Sequence, residues 1–537
     1  MTQLDGDRSP PAGTPSAGAP NPRRHDLDAL RGFAMMLGIV LHVTLAFIPS
    51  FWPVTDGRAS LAGPFDEILW IIHGFRMPVF FLLSGYFTAM LGRRRGVARL
   101  ISHRARRIGL PLLIGVFTIV PLMDATTQWA YTSGIDDDND LFAAAYFGDV
   151  LAAEVILDGG FDVNAVNPAD PNKNTALHLA AVTNDAEMAE LLLERGANFN
   201  ARNADWATPL DIAVYFAHPE VAEVIVEGGH IDYRQPGGDW DKIGFWGDGA
   251  ADSPFHQRAG NGESGEDDIG LSSWVTSFHH LWFLWFLCWY MAAFAVVAAL
   301  ATAVARRLSQ RRQVARSATS EPSTSRLRNL LAWAAVPLTL LPQLAMGDGG
   351  QWPVFGPDTS AGLVPVPHVL VYYALFFAFG ALIYGRRTPN GELMSDRLGR
   401  HWRWVLPVTF LVLLPIGLGL TFEDGPWPVA AAFQAAYAWG MSLGLIGLFS
   451  VILGRERRWV RYLSDSSYWL YLAHLPLVIV LQAWARTTDL ARGIEFTAIV
   501  VCATALLLAS YAIAVRHTPI GWLLNGRRPR RRRAPAG

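Results

Sequence analysis

Arg31 and His42 stand eleven residues apart in LRGFAMMLGIVLHVTLAF, the first long apolar run of the chain. At about 100° per residue, eleven steps return to within roughly 20° of the starting direction, and at about 1.5 Å per residue they cover roughly 16 Å. On a helix both side chains therefore share one face, one near a membrane surface and one well inside. An ionisable group in hydrocarbon costs roughly 2.5 kcal/mol or more near the centre, so such groups are rare unless they act on something. His42 can exchange a proton near neutral pH, as a general base must, or act as a nucleophile itself. The plainer alternative is an imidazole hydrogen-bonded within a helix bundle. Arg31 alone would snorkel to the interface, and Asp28, three residues earlier, suits either an orienting ion pair or a helix cap.

Other groups have the types and spacing for a site. Arg104 and Arg107, again three apart, could grip phosphates, although arginines also gather at the cytoplasmic ends of spans without any ligand. His73 and Arg76 share one face of the second apolar run, and His279 and His280 open the fourth; polar groups there could receive a substrate hydroxyl. The nearby Trp282, Trp285 and Trp289 form either a sugar-stacking platform or an interfacial belt. Ser84 could bond a substrate or its own helix backbone, Gly85 permits close helix approach, and His474 reads as a packed, hydrogen-bonded helix residue. The two cysteines, Cys288 and Cys502, lie in apolar runs, which leaves no disulfide framework and no cysteine metal site. No metal is expected. No carboxylate falls in the middle of an apolar run, and there is no GxxxxGKS or HExxH segment, so a proton-coupled transporter, a nucleotide hydrolase and a zinc protease lack support.

The elements that must position these groups are membrane spans. The chain is 51% hydrophobic with 20 Trp, and its apolar residues come in blocks of the ~20 residues needed to cross hydrocarbon. About ten such runs occur, near 29–49, 68–91, 106–123, 281–304, 329–345, 369–385, 404–421, 430–453, 466–485 and 494–515. Every second connecting loop is arginine-rich, from Arg23 and Arg24 through Arg93 to Arg107 and on to Arg527 to Arg533, which places both termini in the cytoplasm. The arginine clusters read as topology determinants and contacts for anionic lipid, and nothing points to nucleic acid. The first run is too long and lacks a small-residue cleavage site for a cleavable signal peptide, so it should act as a signal anchor.

Between the third and fourth runs the pattern breaks. Residues 124–280 hold about 28 acidic and about 6 basic residues, so this block belongs outside the cytoplasm. Within it TALHLAAVTNDAEMAELLLERGANFN (175–200) resembles an ankyrin repeat. LFAAAYFGDVLAAEVILDGGFDVN (141–164) and TPLDIAVYFAHPEVAEVIVEGG (208–229) align with it, and NPADPNKN (167–174) supplies an extra turn. Three units are about the minimum that can bury a core by stacking. His178 lies in the TxLH turn, where the resemblance implies structural hydrogen bonds rather than catalysis, and such repeats bind protein partners. The division expected is a disordered tail (1–24), a first membrane part (25–123), ankyrin repeats (136–232), an acidic Gly-rich linker (233–270), a second membrane part (271–515) and a basic tail (516–537).

The segments LDALRGFAMMLGIVLH (28–42), FFLLSGYF (80–87), RARRIGLP (104–111) and SDSSYWLYLAHLPLVI (464–479) together resemble the acyltransferase 3 family, integral membrane enzymes that acylate extracytoplasmic carbohydrates. HGFRMPVFFLLSGYF and HHLWFLWFL are most similar to the branch that modifies periplasmic glucans. The resemblance implies an all-α polytopic bundle of the bacterial inner membrane, with the ankyrin insert periplasmic. It implies an acetyl- or succinyl-coenzyme A donor and an extracytoplasmic glycan acceptor. Arg31, Arg104 and Arg107 would place the donor, and His42 would act as base or acyl relay. The rivals are an ankyrin-bearing transporter or channel and a non-catalytic envelope scaffold.

Overall fold

The computed structural model describes residues 24–48, 52, 54, 63–132, 141–167, 170, 172–204, 207–215, 218–229, 278–314, 323–346, 354–388, 391–423, 425–485, 488 and 490–525. The expected N-terminal tail as far as residue 23, the 233–270 linker and residues 526–537 lie outside this set. The described residues form helices: α1 (His25–Thr44), α2 (Pro64–Arg95), α3 (Val97–Arg104) and α4 (Leu110–Thr132), then α5 (Leu141–Phe147), α6 (Val150–Asp158), α7 (Ala176–Thr183), α8 (Ala186–Glu194), α9 (Pro209–Tyr215) and α10 (Pro219–Gly228). There follow α11 (Trp282–Val314), α12 (Ser323–Leu338), α13 (Leu340–Leu344), α14 (Pro367–Ile383), α15 (Met394–Gly399), α16 (Trp402–Val408), α17 (Leu414–Phe422), α18 (Trp427–Ile452), α19 (Arg458–Ala485), α20 (Arg492–Ser510) and α21 (Pro519–Asn525).

Among the described residues, eight helical stretches are long and apolar enough to cross a membrane, and two shorter apolar helices, Leu330–Leu344 and Pro367–Ile383, make up the rest of the ten expected runs. The shortening has local causes. Pro337 and Pro342 remove backbone donors around Thr339, where α12 gives way to α13. α14 stops at Ile383, before Gly385 turns the chain at φ +64°. The third stretch is longer than its apolar run, because α3 passes through a π-helical turn at Ala105–Gly109 directly into α4.

α1 lies at the centre, enclosed by α2, α18, α19 and α20. The broadest helix pair is α2 with α14, and it is set by two glycines. A Cβ on Gly85 would collide with the Phe377 carbonyl oxygen, and one on Gly380 with that of Leu82. The two backbones touch, so van der Waals contact replaces the hydrophobic drive that lipid cannot supply.

The insert stacks as three helix pairs around its own apolar core, which includes Leu177, Met188, Leu192, Ile212 and Ile225. Asp149 and Asp185 cap α6 and α8 by accepting from Ala152 and Met188 amides at 3.0 and 2.9 Å. His178 is structural: its Nδ1 lies 3.2 Å from the Thr175 amide nitrogen and its Nε2 lies 3.0 Å from the Ala207 carbonyl of the next repeat. An amide donates and a carbonyl accepts, so the neutral ring carries its proton on Nε2. In the third repeat Asp211 does the capping, accepting from the Thr208 amide at 2.8 Å. The extra turn closes on Asp170, whose carboxylate accepts from the amides of Asn172 and Asn174 at 2.8 and 3.2 Å. The module meets the membrane bundle where α7 touches α4.

Two measurements follow from these contacts. Gly380→Ala should cost about 1–3 kcal/mol by overpacking against backbone, read as a lowered melting temperature of the purified protein, whereas Gly493→Ala, with open space around it, should leave it unchanged. Burial pushes the His178 imidazole from 6.5 down to about 4, so the unfolded repeats bind more protons than the folded ones between those values. The repeats should hold full stability above pH 6.5 and lose up to about 1.4 kcal/mol per pH unit as pH falls toward 4. Amide exchange over residues 176–183 should accelerate across that window, and His178→Ala should flatten the dependence.

Candidate functional site

His42 occupies the last turn of α1. Its ring stacks on Trp52, with centroids 5.7 Å apart and 16° between planes, and stands 5.2 Å from the ring of His474 on α19. His280 adds a second step of 5.2 Å, to His474. Gln482, further along α19, ties this group together. Its Nε2 donates to the His42 and Val43 carbonyls at 3.0 and 3.2 Å, while its Oε1 accepts from Trp52 Nε1 at 2.8 Å. The last carbonyls of a helix lack intrahelical partners, and here a neighbouring side chain takes them, which fixes the backbone that carries His42.

The tautomers of the two outer rings follow from their partners. His474 Nδ1 lies 2.9 Å from the Tyr471 carbonyl and His280 Nε2 lies 3.2 Å from that of Leu472. A carbonyl only accepts, so in the neutral rings these nitrogens carry the protons. The opposite nitrogens, His474 Nε2 and His280 Nδ1, are bare lone pairs, and both are buried without a partner among the described residues, as is His42 Nδ1.

α2 supplies His73 and Arg76 just ahead of Pro78, which interrupts the helix ladder there. His73 lies in electrostatic reach of the Pro357 backbone, and its Nε2 is buried with no hydrogen-bond partner among the described residues. Gly356, at φ +120°, lets that loop press on α2; a Cβ there would stand 2.9 Å from both Gly74 Cα and His73 Cδ2. Gln434 Oε1 holds the loop by accepting from the Gly356 amide at 3.0 Å. The Arg76 guanidinium lies against Gly38 of α1, where a Cβ would stand 2.7 Å from Nη1. Arg76 is in electrostatic reach of His42, His73 and His474, and of the Tyr373 and Tyr471 phenols.

The arginine group gathers at the other end of α1. Arg31 Nη2 donates to the Ser464 hydroxyl and carbonyl of α19 at 2.9 and 3.2 Å, its guanidinium covers the Phe87 ring of α2 at 5.8 Å, and Asp28 stands 4.0 Å away. Arg104 Nη2 donates to Thr88 Oγ1 at 3.1 Å, and Arg107 Nη2 to the Asn525 carbonyl at 2.7 Å. Both Arg31 and Arg107 act electrostatically on Arg104. The Nε atoms of Arg31 and Arg104 are buried without partners. Cations gathered this way repel one another until an anion joins them, and guanidinium forks suit phosphate oxygens.

The residues expected from sequence thus fall into two groups joined by one helix: His42, His73, Arg76 and His280 at one end, and Arg31, Arg104 and Arg107 at the other. Ser84 is half-buried on α2 between them. His279 turns elsewhere, its Nε2 lying 2.8 Å from Asp124 Oδ1 in the second half of α4. Of the three tryptophans, Trp282 packs with Phe81 and Tyr373, and Trp285 donates to the Leu363 carbonyl at 2.9 Å. His474 does hydrogen-bond within its helix, as its sequence context suggests, yet its free nitrogen also joins the cluster. Trp52, Tyr471 and Gln482 were not singled out by sequence reasoning. The available signal was a polar stripe on α19: Ser464, Ser467, Tyr471, His474 and Gln482 recur at helical spacing in an apolar span.

Comparison with known proteins agrees with this architecture. The acyltransferase domain family model matches residues 24–147 and 235–515, and ankyrin repeats in 3 copies match 141–235. The glucans biosynthesis protein C of Salmonella paratyphi B (strain ATCC BAA-1250 / SPB7) and that of Salmonella heidelberg (strain SL476) are each 38% identical over 105 residues, 19% of this chain and 26% of the relative. The chain therefore matches about a quarter of the length of these curated relatives. With the family model covering well over half of the residues, the chain belongs to the acyltransferase domain family: an α-helical bundle with membrane-length spans, interrupted by three ankyrin repeats.

Proposed function

We propose that the protein moves an acetyl or succinyl group from acyl-coenzyme A, bound at the arginine end, to a hydroxyl of an extracytoplasmic carbohydrate such as a periplasmic glucan, bound at the histidine end. The observation that carries this reading is the single face of α1 that joins the two groups, from the Arg31 cluster to the His42 cluster. By the positive-inside pattern the arginine end meets the cytoplasm, where acyl-coenzyme A is made. Arg31, Arg104 and Arg107 hold the donor phosphates and so orient the thioester along α1 toward His42. The buried lone pairs of His280 and His474 suit hydroxyl donors on the acceptor, and the unpartnered His73 Nε2 adds a further polar atom. The partial relatives are named for glucan biosynthesis, which favours a glucan among carbohydrates.

In this reaction His42 removes the proton from the acceptor hydroxyl as its oxygen bonds to the thioester carbon, and returns it to the departing thiolate. No metal takes part in any step. Trp52 and Gln482 act through His42: one covers the ring, the other fixes the backbone beneath it, so that the imidazole meets the hydroxyl in a single geometry. The ankyrin surface is left to a protein partner, and the bundle exterior to lipid.

His42→Ala should cut O-acylation of envelope glycan by at least about 10²-fold at normal protein abundance, measured by mass spectrometry of extracted glycans; unchanged O-acyl content would sink the assignment. Gln482→Leu should lower the turnover rate about 10- to 100-fold through misplacement of His42, with little change in the KM for acyl-coenzyme A. A Gln482→Leu protein that binds the donor poorly instead would show that Gln482 serves the fold rather than the base.

A further inference from the structure

Arg76 holds a charge that the fold itself leaves unbalanced. Its guanidinium lies between α1 and α2 inside the apolar bundle, where a cation without a counter-charge costs several kcal/mol. No carboxylate among the described residues pairs with it; its electrostatic neighbours are the phenols of Tyr373 and Tyr471 and the imidazoles of the cluster. Its Nε is buried without a partner. Yet α1 makes room for it. With glycine at position 38 Nη1 fits against the helix, whereas a methyl group there would come within 2.7 Å and force the guanidinium to shift.

The place of that glycine gives the charge a role. Arg31, Gly38 and His42 follow one another at intervals of seven and four, so all three share one face of α1. Gly38 is about 6 Å along the helix from His42 and about 10 Å from Arg31. The Arg76 charge therefore sits on the donor side of the base, along the line a thioester must follow from the arginine cluster to reach His42. A carbonyl carbon attacked from the His42 side presents its oxygen to groups around that line.

We propose that Arg76 is a catalytic residue that stabilises the oxyanion of acyl transfer, and that Gly38 is the opening in α1 that lets it reach the reacting carbonyl. The inference rests on the donor and base assigned above. The acceptor oxygen bonds to the thioester carbon while His42 takes its proton, and the carbonyl π pair moves onto oxygen, creating the negative charge that Arg76 meets. The pair then returns, the C–S bond breaks, and the thiolate leaves with the proton from His42. The anion that balances Arg76 thus exists only during the reaction, which is when a preorganised charge in a water-poor site is worth most.

The test uses full-length protein in lipid nanodiscs, a β-glucan oligosaccharide as acceptor, and acetyl- or succinyl-coenzyme A as donor, with free thiol as the readout. Arg76→Met should lower kcat about 10²–10³-fold with both donors while KM stays within about threefold. Arg76→Lys, which keeps the charge, should recover part of the loss. Gly38→Ala should lower kcat in the wild-type background and cost little more in Arg76→Met, because the two act through one contact. A kcat near wild type in Arg76→Met overturns the proposal, as do additive losses for Gly38→Ala and Arg76→Met. So does a loss confined to succinyl-coenzyme A and to its KM, which would make Arg76 a reader of a carboxylate on the acyl group. Should Arg76→Met fail to fold, Gly38→Ala and Arg76→Lys decide by the same kcat and KM criteria. Absence of thiol release by the wild type, or its persistence in His42→Ala, overturns instead the donor and base reading beneath the proposal.

Discussion

The bundle is organised by one constraint: the polar face of α1 must be shut away from hydrocarbon. That face carries Arg31 and His42, and neither group can be left to lipid without a cost of several kcal/mol. Four helices enclose it, and polar side chains of two of them, α2 and α19, meet it along its length. Ser464 of α19 meets Arg31, Arg76 of α2 meets Gly38, and Gln482 of α19 meets the His42 carbonyl. α19 therefore runs beside α1 in the same direction, from the arginine end to the histidine end. The glycines between α2 and α14 belong to the same solution, since close backbone contact holds α2 firmly enough to carry a buried cation.

Much of this was legible in the sequence because the constraint writes itself there. A histidine and an arginine eleven residues apart in an apolar run mark a helix face, and alternating arginine loops set the spans in register. The repeats were equally plain, down to the TxLH turn that His178 satisfies. The rest depended on distances between helices remote in sequence. His474 looked like an ordinary hydrogen-bonded helix residue because one of its nitrogens is just that; its other nitrogen joins His42 only because α19 packs on α1. Trp52 lies outside any regular element, and its role depends on a hydrogen bond to a residue 430 positions away. His279 and His280 are adjacent in sequence, yet one turns to Asp124 and the other enters the cluster. The divergence has a backbone cause: His279 sits at φ +43°, a left-handed conformation that redirects the chain as α11 begins.

The ankyrin repeats interrupt the membrane domain at a point where interruption is cheap. Loop-closure entropy rises only with the logarithm of loop length, so a long insert costs little more than a short one if its ends are pinned close together. They are: Asp124, before the insert, lies 2.8 Å from His279, after it. The module folds on its own core and touches the bundle through α7 and α4, so the helices around His42 need not change to accommodate it.

The histidine cluster holds more imidazoles than a single proton transfer requires. In the proposed reaction the proton leaves a hydroxyl and ends on a thiol, both bound at His42, so no proton has to travel to solvent and no relay is needed. His474 and His280 are poorly built for a relay in any case. Each commits its N–H to a backbone carbonyl, and passing a proton through the ring would break that bond inside the bundle. Committed donors leave fixed acceptors. The bare nitrogens of His474 and His280 offer lone pairs at set positions, and a sugar presents several hydroxyl donors at set positions. An acceptor that filled them would stand with one hydroxyl at His42 and the others held, which converts a cluster of costly buried rings into a template for one hydroxyl among many.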